Sequence, residues 1–557
     1  MFKPTVAQQQ IKDHEALDLL VVAPAGCGKT EALALRVAGL IERGTIAHPR
    51  RVLVTTFSNR ARDNIRDRLR SHLPFVDMRD RVTISNFHGL SARLIRAHAG
   101  VLGVAPDLTF PDSDWVKEQC QSRSLGFEEA GAVQAILRQA KQQPSDDAAV
   151  RQYIVGTGNR WAHEIELQRV QEGRLTYDDL PRLAELILAN DTVAELYRAH
   201  FSAVVVDEFQ DLTPQQLRIV NRIGHGRTTY AGDLAQGIYG FAGALPSHVD
   251  AAVRQECTTM IEFAESHRSS PAVLRMVNSM SGLTGGQGLT CADPDSWPGG
   301  GLAGGVAFAT ALEEASWVVS VVRAILKRVP DHRIGVIGRL KGRLRYVDQV
   351  AEANGVPVHR WEDGVLDTDT ALLVRAMLSR LSLDELARAS DPVEFLRDLA
   401  GLDQVQEPDT RANLVEALSW CLDRLRDGLT PEEVRSRIKV GDESTLLNVP
   451  GLHLLSGHVG KGQQFDWVVV IGAEEGCIPD FRSTDLAEEA RILSVMISRA
   501  RHGAIVTCAG NVPTNAGAPK VRAASRFWDL LETAGYHDLA GIVAWFRAAD
   551  WEAVAAR

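Results

Sequence analysis

Two short stretches of this chain hold the residue types needed to grip and cleave a phosphoanhydride. The first is APAGCGKT, residues 23–30. Gly26 and Gly28 free the backbone to turn its N–H groups toward a phosphate, with Ala25 and Cys27 contributing main chain beside them, and the helix that follows aims its positive end at the same point. Lys29 is then placed to pair with the β- and γ-phosphates and Thr30 to bind Mg²⁺. The second stretch is VVVDEFQD, residues 204–211, where two adjacent carboxylates close an apolar run. Asp207 is expected to order the Mg²⁺ through water, and Glu208 to polarise the water that attacks the γ-phosphate in line. Together the two stretches predict hydrolysis of a nucleoside triphosphate.

Such chemistry needs a rigid support, and the flanking residues predict one. Residues 18–22 (DLLVV) read as a buried strand, and residues 31–43 put Leu33, Val37, Leu40 and Ile41 on one helical face before Gly44. The order is strand, glycine loop, helix. The composition, 45% apolar and 24% charged over 557 residues, suits a folded chain of several domains. No apolar run approaches the ~18 to 20 residues of a membrane span, and the N-terminus lacks the pattern of a signal peptide, so the expected compartment is the cytoplasm. Seven cysteines without CxxC or CxxH spacing argue against a zinc ribbon, an iron–sulfur cluster or a disulfide framework. The net charge of −10 means that any nucleic-acid site must be a local channel.

Further blocks follow in order: PTVAQQ (4–9), TTFSNRARDNIRDRL (55–69), SNFHGLSARLIR (85–96), DEFQD (207–211), GDLAQGIYGFAGA (232–244), IEFAESHRSS (261–270), LLSGHVGKGQQFDWVVVIGAEEGCIP (454–479) and EEARILSVMISRAR (488–501). In this order they resemble the UvrD/Rep-type branch of superfamily 1 DNA helicases, over nearly the whole chain. The resemblance implies that Gln8 reads adenine, making ATP the nucleotide with Mg²⁺ as its metal. His267 then stands where a tyrosine commonly stacks on the base. Gln236 becomes the γ-phosphate sensor, and Arg268 and Arg499 the two arginines that meet the phosphates. A guanidinium from another domain can be worth on the order of 10³ or more in rate, because phosphoryl transfer builds negative charge on the γ-phosphate oxygens. On the DNA side the resemblance implies contacts from Thr56, Phe57, Asn59, His88, Tyr239, Phe241 and His458. Arg339 joins them from the strand–helix–strand segment 332–361. His458, Lys461, Gly462 and Glu475 all fall in matching places of their block.

The fold implied is α/β, with two RecA-like P-loop domains built on parallel sheets, each interrupted by a small, mainly helical insertion. The first domain is expected at 1–110 and 175–255, with an insertion at 111–174. The second is expected at 256–365 and 440–557, with an insertion at 366–439. Nine of the 25 residues from Ser281 to Gly305 are glycine, which predicts a flexible surface connection. The implied activity is ATP-dependent translocation on single-stranded DNA and helicase action at duplex junctions, in the 3′–5′ direction. The alternative is a DNA-stimulated ATPase switch subunit of a repair or anti-phage defence complex that unwinds little alone. Several departures bear on that choice. Ala242 stands where the family usually has arginine, Phe241 where it often has tryptophan, Ser494 replaces a tyrosine and Gly460 an alanine. They remove a strand cation and no hydrolytic group. The roughly fifty residues after the last block hold no acidic cluster with a nearby lysine, so any nuclease is expected on a separate partner chain.

Overall fold

Runs such as LLVV (19–22) and AVVV (203–206) are too uniformly apolar for strands with one wet face, and they form central strands of a parallel sheet covered on both sides. A computed structural model describes residues 3–57, 59–103, 108–111, 115–361, 365–366, 368–405, 408–426, 428–440, 449–459, 461–513 and 518–557. Its first six-stranded sheet runs Val82–Asn86, Arg51–Thr56, Phe201–Asp207, Thr228–Gly232, Leu19–Val22, Met260–Glu262, all parallel. The last strand is a correction. Residues 260–262 were expected to open the second domain, yet they pair with Leu20–Val22, so the first sheet reaches past residue 255. A three-residue edge strand with an exposed–intermediate–exposed pattern carries too little periodicity to be assigned from sequence.

The second six-stranded sheet runs Val358–Arg360, Gly451–Ser456, Arg333–Gly338, Phe465–Ile471, Ala500–Asn511, Leu302–Thr310, again all parallel. The segment His267–Ser270 crosses between the sheets. Its far end is pinned to the second one, where Ser269 Oγ donates to the Ala500 carbonyl (2.7 Å) and the Ser270 N–H to the Arg501 carbonyl (2.8 Å). The glycine-rich stretch is also a correction, because its end is packed edge strand. A Cβ on Gly305 would stand 2.5 Å from the Tyr536 ring, and one on Gly304 2.8 Å from Ile542 Cδ1. Here glycine permits close approach of the C-terminal segment to the sheet.

Four helices, Trp115–Ser122, Phe127–Ala140, Asp147–Thr157 and Arg160–Gln171, interrupt the first domain around their own small core, which includes Val133, Leu137, Val150 and Ile165. Thr109 and Arg174 bridge where the chain leaves and returns. Lys141 ties these helices to the sheet domain through Asp179 (2.9 Å), and both side chains are buried. Five helices between Thr368 and Arg437 form the second interruption around Leu378, Leu396, Leu414 and Leu418. Ion pairs Lys117–Asp423 (3.0 Å) and Arg397–Glu118 (3.3 Å) join the two helical groups. No helix among the described residues is long and apolar enough to cross a membrane. All seven thiols are unpaired.

Candidate active site

The strand Leu19–Val22 delivers the glycine loop to the helix Lys29–Glu42, and the loop's conformation explains its composition. Gly26 and Gly28 lie at φ +86° and +84°, in the left-handed region that a Cβ disfavours. At Gly26 there is no room for one either, since it would sit 2.6 Å from Arg268 Cβ. Cys27 is fully buried beneath the loop, so its side chain faces the core and only its main chain remains for a phosphate. The loop opens on a cavity of about 860 Å³, lined also by Thr30, Glu208, Gln236, Arg268, Lys461 and Arg499.

The ammonium of Lys29 lies on the acidic pair, 2.5 Å from Glu208 Oε1 and 3.3 Å from Asp207 Oδ1. Burial opposes the lysine charge, but the two carboxylates outweigh it and hold the Lys29 pKa above the usual value. Burial also works against Glu208, and there Lys29 and Lys461 prevail, bringing its pKa down to about 2. Glu208 has left-handed backbone (φ +58°) although it is not glycine, a strained conformation that turns its carboxylate toward Lys29. Asp207 responds differently: burial raises its pKa and Lys29 only partly offsets this. Its Oδ1 is buried, with the Lys29 ammonium as its ion-pair partner. Asp207 and Thr30 line the same cavity, and a carboxylate with a hydroxyl is a donor set that fits Mg²⁺, a hard cation that prefers oxygen.

Two guanidiniums face this acidic corner. Arg268 is met by the Gln464 amide, whose oxygen accepts from Nη2 (2.9 Å) and Nε (3.0 Å). Its Nη1 is buried without a hydrogen-bond partner. Arg499, 2% exposed, donates among the described residues to neutral oxygens, the Val495 carbonyl (2.9 Å) and Ser498 Oγ (3.0 Å). Burial lowers the pKa of Arg268 to about 10, and burial with the nearby Arg268 charge lowers that of Arg499 to about 9. Both stay protonated at neutral pH. Two cations held by neutral partners retain their charge for an anion entering between them. Residues 5–255 match the UvrD/REP helicase N-terminal domain and residues 431–510 the UvrD-like helicase C-terminal domain.

The chain belongs to the UvrD/Rep family of ATP-driven DNA helicases. It is similar to the ATP-dependent DNA helicase UvrD2 of Mycobacterium tuberculosis, 26% identical over 89% of this chain and 78% of that relative. It is also similar to UvrD1 of the same organism, at 25% over 93% and 84%. The ATP-dependent DNA helicase PcrA of Leuconostoc citreum is 28% identical over 47% of this chain and 37% of its own length.

The remaining expected contacts fare unevenly. Gln8 lines the cavity, but its amide is engaged: it accepts from the Thr5 N–H (3.0 Å) and donates to the Gly28 carbonyl (3.3 Å). His267 lies exposed at the cavity rim, its N–H bonded to the Gly26 carbonyl. Gln236 donates to Asp233 Oδ2 (3.1 Å) from the cavity wall. On the DNA side, Thr56 is a correction: at 0% exposure, enclosed at the end of a doubly covered strand, it presents no surface to a ligand in this conformation. Phe57 and Tyr239 stack on each other (centroids 4.7 Å apart, planes at 18°), and Lys461 Nζ lies 4.7 Å from the Tyr239 ring centre. Phe241, 60% exposed, is the open ring of the set. His458 meets it edge-on at 5.0 Å, and burial with the Arg339 charge brings the histidine pKa down to about 4, so it acts as a neutral ring. Arg339 is held by both oxygens of Glu489 (2.8 and 3.2 Å). His88 is exposed with Tyr177 edge-on at 5.6 Å. The side chain of Asn59 and the departure at Gly460 lie outside the described residues.

Sequence reasoning left several residues without a role. Lys461 crosses from the second domain to Asp211 (2.5 and 2.7 Å) and donates to the Gln236 carbonyl (2.7 Å). Burial, only partly countered by Lys461, raises the Asp211 pKa to about 6. Gln464 meets Arg268, and Glu488 accepts from the Gly240 N–H (2.9 Å). Lys461 and Asp211 stand inside recognised blocks, which was a signal of importance but not of partnership.

Proposed function

We propose that this helicase couples ATP hydrolysis to 3′–5′ translocation on single-stranded DNA and to strand separation at duplex junctions. The observation that carries the reading is that one loop runs from the candidate nucleotide cavity to an exposed aromatic ring. Residues 236–241 begin at Gln236 on the nucleotide cavity and end at exposed Phe241, and Lys461 of the second domain grips that loop at the Gln236 carbonyl.

In this mechanism Lys29 exchanges its contact with Glu208 for the phosphates of ATP. Lys29 moves to the β- and γ-phosphates, and Glu208, freed from its main counter-charge but still desolvated, becomes a better base for the attacking water. Arg268 and Arg499 supply positive charge to the γ-phosphate oxygens as the domains close, so closure and hydrolysis depend on each other. Thr30 and Asp207 hold the Mg²⁺, which when bound neutralises phosphate charge. The helical groups assigned to 111–174 and 366–439 flank the strand path, and a nuclease or repair partner acts from a separate chain.

A second reading, a DNA-stimulated switch with little unwinding alone, is favoured by the closed Phe57–Tyr239 stack, which leaves Phe241 as the open ring. Strand displacement on duplexes bearing either a 3′ or a 5′ single-stranded tail, run beside ATPase assays with and without oligo-dT, separates the readings. Unwinding from the 3′ tail supports the motor. Stimulated ATPase without displacement supports the switch, and unwinding confined to the 5′ tail refutes the direction.

A further inference from the structure

The loop Tyr239–Gly243 is clasped from two sides. Glu488 of the second domain accepts from the Gly240 N–H, and Arg138 of the first helical group donates through Nη1 to the Phe241 carbonyl. Arg138 Cδ lies 3.8 Å from where a Cβ on Gly243 would stand, which sets this side chain against the residues on either side of Ala242. Position 242 is where the sequence lacks an expected arginine. A guanidinium therefore occupies the neighbourhood of the missing one, but it is delivered by a different part of the chain.

Its bonding leaves it available. Other arginines of the same region are neutralised: Arg169 pairs with Glu166 (2.7 Å) and Arg182 with Asp179 (2.7 Å), both buried. No carboxylate among the described residues pairs with Arg138, whose anchor is a neutral carbonyl. A guanidinium carries five N–H donors in a rigid fork, so holding one carbonyl leaves charge and donors for a phosphate. The open face of Phe241 is immediately adjacent, and a stacked base carries its own phosphate within a side chain's reach.

We propose that Arg138 supplies, from the first helical group, the strand-phosphate contact that Ala242 cannot make, beside a base stacked on Phe241. This rests on the reading of Phe241 as part of the single-strand path. The contact also ties the helical group to the loop that begins at Gln236, so the grip on DNA follows the state of the nucleotide cavity.

The test is fluorescence anisotropy of labelled oligo-dT with the full chain across a salt series. Arg138→Gln keeps an amide donor for the Phe241 carbonyl and removes the charge. It is expected to weaken binding about three- to tenfold at ~0.1 M salt and to flatten the slope of log K against log salt by ~0.7, the loss of one single-strand phosphate contact. Arg138→Lys should keep the slope, and adding Ala242→Arg to Arg138→Gln should restore it. Wild-type slope and affinity in Arg138→Gln would overturn the proposal, as would failure of Ala242→Arg to restore the slope. Absence of salt-dependent binding by the unaltered chain, or unchanged affinity in Phe241→Ala, would instead refute the underlying strand-path reading.

Discussion

Replacing Lys461 with Met tests how the second domain is held against the catalytic corner. The ammonium is the partner of Asp211 at 2.5 and 2.7 Å, and both side chains are nearly sealed from solvent. In the folded chain the Asp211 carboxyl titrates at about 6, above its ordinary 3.8. The folded state therefore binds this proton more tightly than the unfolded state. The cost of ionised Asp211 is absent below the unfolded value, grows as pH rises between the two values and levels off above the folded one. At ~1.4 kcal/mol per unit, that plateau is about 3 kcal/mol. Without Lys461 the carboxyl stays protonated at higher pH, so the cost continues to grow beyond pH ~6, adding about 2 kcal/mol by pH ~7.5. Urea unfolding of Lys461→Met against the unaltered chain should show this difference at pH ~7.5 on top of the pH-independent loss of the Gln236 carbonyl bond, which alone should remain near pH ~5.5, and Lys461→Met/Asp211→Asn should recover most of the pH-dependent part. Turnover should fall more than ATP affinity if Gln236 has the proposed γ-phosphate role, because Lys461 holds its loop by the Gln236 carbonyl. A destabilisation that is equal at both pH values, or one that Asp211→Asn leaves unchanged, would refute the assignment of Asp211 as the group paired across the domains.

Lys29→Ala should nearly abolish hydrolysis, whereas Glu208→Gln should retain nucleotide binding and slow turnover on the order of 10² or more, as read by fluorescent-nucleotide titration beside phosphate release; normal turnover in either would remove its residue from the site. Arg268→Ala and Arg499→Ala should each reduce the hydrolysis rate on the order of 10³ with a much smaller change in ATP affinity, and equal losses in both quantities would argue for ground-state binding alone. Phe241→Ala should weaken oligo-dT binding by ~1 to 3 kcal/mol, with Phe57→Ala changing it less because that ring is already stacked on Tyr239; the reverse ranking would show that the Phe57–Tyr239 stack opens on DNA. Ala242→Arg in the unaltered chain should raise strand affinity, and no change would exclude position 242 from the channel.

The residues that meet at the candidate hydrolytic site stood out in the sequence because the chemistry they suggest is local. A glycine loop between a strand and a helix, and two carboxylates closing an apolar run, place Lys29, Thr30, Asp207 and Glu208 through backbone geometry that spans only a few residues. The parallel sheets were implied by the family resemblance of the motif blocks, and single strands buried on both faces showed as uniform apolar runs such as residues 203–206. Edge features were not legible: Met260–Glu262 is too short and too exposed to show a period, and the glycines at 304 and 305 looked like a loop because the partners that need their lack of a side chain, Ile542 and Tyr536, lie more than 200 residues away. Pairings between distant segments were decided by tertiary structure alone. Residue type could not say that Thr56 would be sealed or that Phe57 and Tyr239 would spend their faces on each other. Nor could it say that Lys461 would meet Asp211, or that the cation absent at position 242 would be approached by Arg138. A side chain's charge or ring is written in the sequence, but whether it remains free for a ligand depends on which neighbour the fold brings within a few ångströms.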